Sequence, residues 1–302
     1  MFQHILCPVD FSAGSLNALS LAGSVARAHG AQLTALHVRP LSTPNPETPP
    51  VGFDAPAVPG ELDAVRRQLE EAARDRVGAG VDVDVAVTTG DPVDGILECA
   101  QARAIDLLVM GTHGTAGFRR LLLGSVTEKV LRKASCAVLT VPPNAHVRTA
   151  RPFTHLLAAV DFSDCSLRAA TVAASVATAA GATLTLMHVL EWPWHETSDT
   201  TLQGMPEAQA KAAAEYRRYL EAAARERLDA LAESAMPGHQ VNTRVAVGRS
   251  YREILDAANE AGADLLVLGV RGRGPVDLAF FGSTANHLVR SAGCPVLTVR
   301  ES

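Results

Sequence analysis

Gly111, Gly114, Gly124 and Ser125 stand in the order Gly-x2-Gly-x9-Gly-Ser, and Gly269, Gly272, Gly282 and Ser283 repeat it with the same spacing. An apolar run precedes each copy, Ile105 to Met110 and Asp264 to Leu268, and a stretch of helical periodicity follows, Val126 to Arg132 and Thr284 to Arg290. Glycine between strand and helix lets the main chain take positive φ and lets a ligand come close to it. The first N–H groups of the following helix lack intrahelical partners and favour an anion. The chemistry such a loop can do is to cradle phosphates. Backbone N–H groups at Gly114, Gly124, Ser125 and Val126, with the Ser125 hydroxyl, serve in the first copy, and Gly272, Gly282, Ser283 and Thr284 in the second. His113 and Arg271 occupy the same place in the two loops, and Arg271 with Arg273 adds positive charge that suits a triphosphate. A tight turn with no ligand explains either loop alone; two copies in matching contexts favour the cradle.

Asp10 and Asp161 are the second pair with chemical content. Each ends an apolar run, Val9 before one and Val160 before the other, and each is followed two residues later by serine, Ser12 or Ser163. Such a carboxylate can accept hydrogen bonds from ribose hydroxyls or an adenine amino group. It can also cap the next helix, although the serine is equally able to do that. Ligand contact is the favoured reading. Val38 and Val189, at the ends of second strands, either offer backbone groups to a base edge or are plain core.

Stepping outward, these residues need strands that end near one another, and the chain supplies them twice. His4 to Ser12 matches His155 to Ser163 at an offset of 151, whereas Gly111 matches Gly269 at 158, so the second half carries seven extra residues after its second strand. Strands are expected near 3–9, 32–38, 82–88, 105–110 and 136–141, with helices near 13–29, 61–78, 92–103 and 124–133; the second half has strands near 154–160, 183–190, 240–247, 264–269 and 294–300. This alternation predicts βαβ units and a parallel sheet covered on both faces, a small doubly wound domain in each half. In such a sheet the ligand crevice lies beyond the carboxyl ends of the strands where strand order reverses. If the first and fourth strands flank that point, Asp10 faces the loop that starts at Gly111.

The domains are expected at 1–145 and 152–302, joined by a linker near 142–152 that contains Pro142, Pro143 and Pro152. Arg39 to Gly60 holds seven prolines and is neither helix nor central strand; a surface excursion and a lid over the site are both open. In the second half Trp192 and Trp194 occupy the matching place, as a contact surface or as local packing. A long Ala-rich helix is expected from 207 to about 234, with Tyr216, Tyr219 and Leu220 toward the sheet. Each half closes on an apolar strand, Ala137 to Val141 and Pro295 to Val299, and an unpaired edge of that kind invites pairing.

With 302 residues, a hydrophobic content of 47% and a net charge of −5, the chain can fill two cores and lacks the basic face that sequence-independent nucleic-acid binding needs. Five widely spaced cysteines with no Cys-x-x-Cys pair read as buried free thiols of a reducing compartment. No run approaches the length of a membrane span and no signal peptide is evident, so the cytoplasm is the expected location. The histidines show no metal-ligand spacing.

Taken together, the two Gly-x2-Gly-x9-Gly-Ser loops and the strand-end pairs Val9-Asp10 and Val160-Asp161 resemble the universal stress protein family in its tandem form, and the resemblance spans nearly the whole chain. It implies two Rossmann-like domains, each binding ATP, with magnesium carried in by the nucleotide, and fifth strands paired across a pseudo-dimer. Any further homodimer would use other surfaces. Ala159 replaces the proline found at Pro8, which puts the equivalence of base-side contacts in the two sites in doubt. The implied role is that of an ATP-binding stress regulator; slow ATP hydrolysis is the alternative. Against an enzyme, no Gly-x4-Gly-Lys-Ser/Thr motif is present and neither loop contains lysine.

Overall fold

The computed structural model describes residues 2–40, 59–112, 123–148, 151–191, 206–237, 241–270 and 282–300. The chain falls into two compact units, the first reaching Pro152 and the second starting at Phe153. In the first unit the elements run β1 (His4–Pro8), α1 (Ala13–His29), β2 (Gln32–Arg39), α2 (Pro59–Val77), β3 (Val83–Thr89), α3 (Pro92–Ala102), β4 (Leu107–Gly111), α4 (Ser125–Lys133) and β5 (Ala137–Val141). The second unit has β6 (His155–Ala159), α5 (Asp164–Ala180), β7 (Thr183–Leu190), α6 (Glu207–Ala235), β8 (Val241–Val247), α7 (Ser250–Ala261), β9 (Leu265–Val270), α8 (Ser283–Ser291) and β10 (Val296–Arg300).

Strand order is β3-β2-β1-β4-β5 in one unit and β8-β7-β6-β9-β10 in the other, every pairing within a unit being parallel. The chain therefore leaves β1 toward β2 and later crosses back to lay β4 on its other side. The reversal of strand order falls between β1 and β4, and between β6 and β9. Two tandem Rossmann-like α/β domains result.

Hydrophobicity explains which strands sit in the middle. Ile5, Leu6, Leu107 and Leu108 of β1 and β4 are fully buried, as are Leu156, Leu157, Leu265 and Leu266 of β6 and β9. Each contributes about 1.5–3 kcal/mol relative to exposure. Strands buried on both faces read as continuous apolar runs, and these do. In the first unit α1 and α2 pack together, and α3 packs with α4. The inner faces of α1 and α5 are small: Ala18, Ala22 and Ala26 on one, Ala169, Ala170, Ala173, Ala174 and Ala177 on the other, all buried. Small residues let these helices lie close to the sheet.

One expectation is corrected. Tyr216 and Tyr219 are 57% and 67% exposed and do not face the sheet. The inward stripe of α6 is Ala224, Leu228 and Ala232, in its second half. The reason is length: the helix has 29 residues against seven in β8, so its first half carries no buried residue. The thiols also differ from expectation in part, since Cys7 and Cys165 are buried while Cys99, Cys136 and Cys294 are only half-buried. Burial pushes the Cys7 thiol up from its usual pKa and the Cys294 thiol up to about 11, so neither is a ready nucleophile.

Candidate functional site

Because every strand within a unit is parallel, the ends of β1, β2 and β4 share one edge, and the same holds for β6, β7 and β9. Val9 extends β1 by one hydrogen bond, its N–H donating to the Leu36 carbonyl at 2.8 Å, and Val160 does the same to Met187. The chain then turns. Phe11 and Phe162 both have φ of 62°, a left-handed conformation that a bulky side chain rarely takes. Asp10 Oδ1 accepts from the Ser12 N–H at 3.0 Å and from its hydroxyl at 2.5 Å, and Asp161 repeats both contacts with Ser163. The helix cap itself is serine: Ser12 Oγ accepts from the Ser15 N–H and Ser163 Oγ from the Ser166 N–H. Of the two open readings, then, capping belongs to the serines, and Oδ1 of each aspartate braces the turn.

Val38 and Val189 lie on β2 and β7 past Leu36 and Met187, the last positions that pair with β1 and β6. In a parallel ladder alternate residues turn their N–H and C=O to opposite neighbours. Leu36 serves β1 by accepting from Val9, while the Arg39 carbonyl accepts from Gly90 on the β3 side. Val38 therefore directs its backbone groups to the β1 side, past the last residue of β1. In the second unit Met187 accepts from Val160 and Leu190 from Gly248, which places Val189 in the same way. Sequence reasoning offered core as the other reading. The side chain of Val38 is buried, which bears out core for the side chain, while its backbone groups turn toward the edge.

The glycine loops start and finish on built ground. Gly111 is the last residue of β4, and a Cβ there would lie 2.9 Å from the Gly14 carbonyl carbon; at Gly269 it would lie 2.5 Å from that of Cys165. The close approach of the first turn of α1 and α5 thus by itself demands glycine at both positions. Gly282 is different: a Cβ there meets nothing within 4 Å. The mouth of the first loop is tied by the Gly124 N–H donating to the Thr112 carbonyl at 2.7 Å, and the Thr127 hydroxyl donates to the Gly111 carbonyl at 2.8 Å. In the second unit Ala285 stands where Thr127 does, and the Cys165 thiol contacts the Val270 carbonyl at 3.3 Å instead. Gly124 and Gly282 are the N-caps of α4 and α8, and neither provides a side-chain cap. Ser125 and Ser283 are exposed there. Among the described residues no side chain caps the start of either helix, while the Gly124 N–H, expected as a phosphate donor, is given to the Thr112 carbonyl.

Electrostatics bear on Asp161. Its partial burial by itself would raise the carboxyl pKa, yet hydrogen bonds from the Ser163 hydroxyl and N–H, then the Ser166 hydroxyl and its own N–H, outweigh that and hold it below the usual carboxylate range. A depressed folded-state pKa contributes stability that is present above the unfolded-state value and lost as pH falls through the folded-state value. The second unit should therefore melt more readily as pH drops below about 4. Asp161→Asn should shrink that acid-side loss, read as melting temperature against pH; an unchanged slope would mean other carboxylates carry it.

The two edges are not identical. Pro8 and Ala159 end β1 and β6. Arg227 of α6 lies 3.8 Å from the centroid of Phe162, a cation over an aromatic face. Asp91 caps α3 with its own side chain, whereas at α7 the Arg249 position has none and Glu191, just past β7, accepts from the Ser250 hydroxyl at 2.7 Å. His113, Gly114, Arg271, Gly272 and Arg273 lie outside the described residues, as do Trp192, Trp194 and most of the proline-rich segment. The structure brings together Pro8, Val9, Asp10, Val38, Gly111, Gly124, Ser125 and Val126 at one edge. Ala159, Val160, Asp161, Val189, Gly269, Gly282, Ser283 and Thr284 gather at the other. Sequence reasoning missed Phe11, Phe162 and Thr127. His37 and His188 were visible as markers of the repeat, but their contacts were not.

The family model for the universal stress protein family matches residues 1–142 and 152–300. A universal stress protein of Methanocaldococcus jannaschii is 32% identical over 149 residues, covering 47% of this chain and 82% of that protein. One from Mycobacterium bovis is 27% identical over 232 residues, covering 76% of this chain and 74% of that one. The crystal structure of a universal stress protein from Archaeoglobus fulgidus superposes with a TM-score of 0.64 at 23% identity, covering 99% of this chain and 98% of that one, which supports the fold. Two successive matches, each carrying its own strand-end aspartate and its own uncapped helix at the reversal of strand order, make the chain a tandem member of the universal stress protein family.

Proposed function

We propose that each unit binds an adenine nucleotide, ATP foremost, and that occupancy makes the protein a nucleotide-responsive regulator of stress adaptation. The triphosphate lies against the N-terminus of α4 or α8, with the Ser125 or Ser283 hydroxyl as a further donor. The ribose meets the carboxylate of Asp10 or Asp161, and the base edge meets the backbone of Val38 or Val189. The observation that carries this reading is the coincidence, in both units, of an uncapped helix N-terminus, a braced aspartate and an outward-turned valine backbone on one strand edge. Magnesium enters with the nucleotide, held by phosphate oxygens and water. Free cysteines are consistent with action in the cytoplasm. Among the described residues no helix is long and apolar enough to cross a membrane.

Mass spectrometry of nucleotide released from freshly purified protein should find an adenine nucleotide, and calorimetric titration with ATP should give a stoichiometry near two per chain. Absence of any binding at millimolar ATP would sink the assignment. We also propose that the role is binding rather than turnover. Phosphate release at about 1 per second or faster, within the range of ordinary enzymes, would overturn that, provided the loop variant Gly114→Val with Gly272→Val loses it.

A further inference from the structure

His37 and His188 lie third from the end of β2 and β7, each one residue before the valine whose backbone faces the edge. His37 Nδ1 lies 2.7 Å from the Val9 carbonyl, and His188 Nδ1 lies 2.6 Å from the Val160 carbonyl. A carbonyl oxygen only accepts, so Nδ1 carries the proton in both rings. The rings are also packed: Phe11 sits 5.0 Å from His37 and Phe162 4.7 Å from His188, centroid to centroid. Those phenylalanines are the two residues held at φ of 62° immediately after the aspartates.

The carbonyl involved is a particular one. After Val9 N–H donates to the Leu36 carbonyl, continuation of the parallel ladder would send the Val38 N–H to the Val9 carbonyl. The histidine side chain supplies the donor at that place. β1 then ends at Pro8, the chain turns through a left-handed phenylalanine, and the aspartate leaves the ladder toward the edge. A non-glycine residue in this conformation costs of order 1–3 kcal/mol and persists only where its surroundings over-determine it. The imidazole provides two such restraints at once, a hydrogen bond before the aspartate and a ring contact after it.

We propose that His37 and His188 are positioning residues of the two nucleotide sites: by occupying the carbonyl of Val9 or Val160 they hold the aspartate-bearing turn in place and leave the Val38 or Val189 backbone available to the base. This rests on the nucleotide reading above, and goes beyond it by naming what sets the geometry. The same constellation recurs in two units whose other surroundings differ, including, among the described residues, Arg227 over Phe162 in the second unit.

Paired variants test it. His37→Asn with His188→Asn keeps an amide N–H at the place of Nδ1; His37→Phe with His188→Phe keeps an aromatic ring and removes the donor. Calorimetry with ATP should show the asparagine pair within a few-fold of the parent and the phenylalanine pair weaker by about tenfold, the scale of one lost hydrogen bond to a buried carbonyl. Amide hydrogen exchange of the segments 9–12 and 160–163, measured without nucleotide, should rise in the phenylalanine pair and stay near parental in the asparagine pair. A phenylalanine pair that matches the parent in both readouts overturns the proposal, and so does an asparagine pair as damaged as the phenylalanine pair. If the parent binds no ATP, the nucleotide reading fails by itself, while the exchange pattern still decides whether the imidazoles hold the turn.

Discussion

Gly269→Ala is expected to destabilise the second unit by about 3 kcal/mol, and Gly111→Ala the first by roughly 1–2 kcal/mol, near the two ends of the usual range for forcing extra volume into a packed core. At Gly269 the new methyl would lie 2.5 Å from the Cys165 carbonyl carbon, 2.6 Å from its oxygen and 2.7 Å from the Ser166 nitrogen. At Gly111 the matching distances are 2.9, 3.0 and 3.2 Å to Gly14 and Ser15. All of these neighbours are backbone, so no side chain can rotate away. Relief requires the first turn of α5 or α1 to shift, and that turn carries Ser163 and Ser166, or Ser12 and Ser15, which hold the aspartate turn. Thermal melts should resolve the difference, since for units of this size each kcal/mol moves the midpoint by about 2–4 °C. Equal small shifts in the two variants would mean that the helices slide freely and that these glycines are not there for packing.

The sequence made the architecture legible because both signals it uses are strong here. Continuous apolar runs such as Ile105 to Met110 mark doubly buried strands, and the repeat offsets of 151 and 158 forced the same topology on both halves. The site was legible as far as residue type and spacing carry chemistry: Asp10, Gly124 and Ser125 meet at the edge that the strand order dictates. What remained hidden depends on atoms meeting across elements. Nothing in the order Val9-Asp10-Phe11-Ser12 says that Phe11 takes positive φ or that His37, 28 residues after Val9, reaches its carbonyl. That the glycines at 111 and 269 also make room for a helix that starts far earlier in the chain cannot be seen in a local motif. Tyr216 and Tyr219 were turned inward by periodicity alone, which has no way to show that the first half of α6 runs without a buried residue.

Asp10→Ala combined with Asp161→Ala is expected to weaken ATP binding at each site by between about tenfold and a hundredfold, the scale of one hydrogen bond to a charged group. In the ligand-free turn Oδ1 of each aspartate is engaged by the neighbouring serine, and the nucleotide reading gives the other oxygen to the ribose. Removing the carboxylate should leave the helix caps in place, because Ser12 and Ser163 supply the oxygens that receive the Ser15 and Ser166 N–H groups. Stability should accordingly fall by less than the roughly 1 kcal/mol that losing a serine cap costs, and Ser12→Ala with Ser163→Ala provides that reference. Asparagine at both positions should be intermediate, since its amide oxygen can still brace the serine while the charge is gone. Calorimetry for affinity and thermal melts for stability separate the outcomes. Unaltered ATP affinity together with a marked loss of stability would show that the aspartates only brace the turn, and the ribose contact would have to be given up while the phosphate assignment to the α4 and α8 N-termini stood.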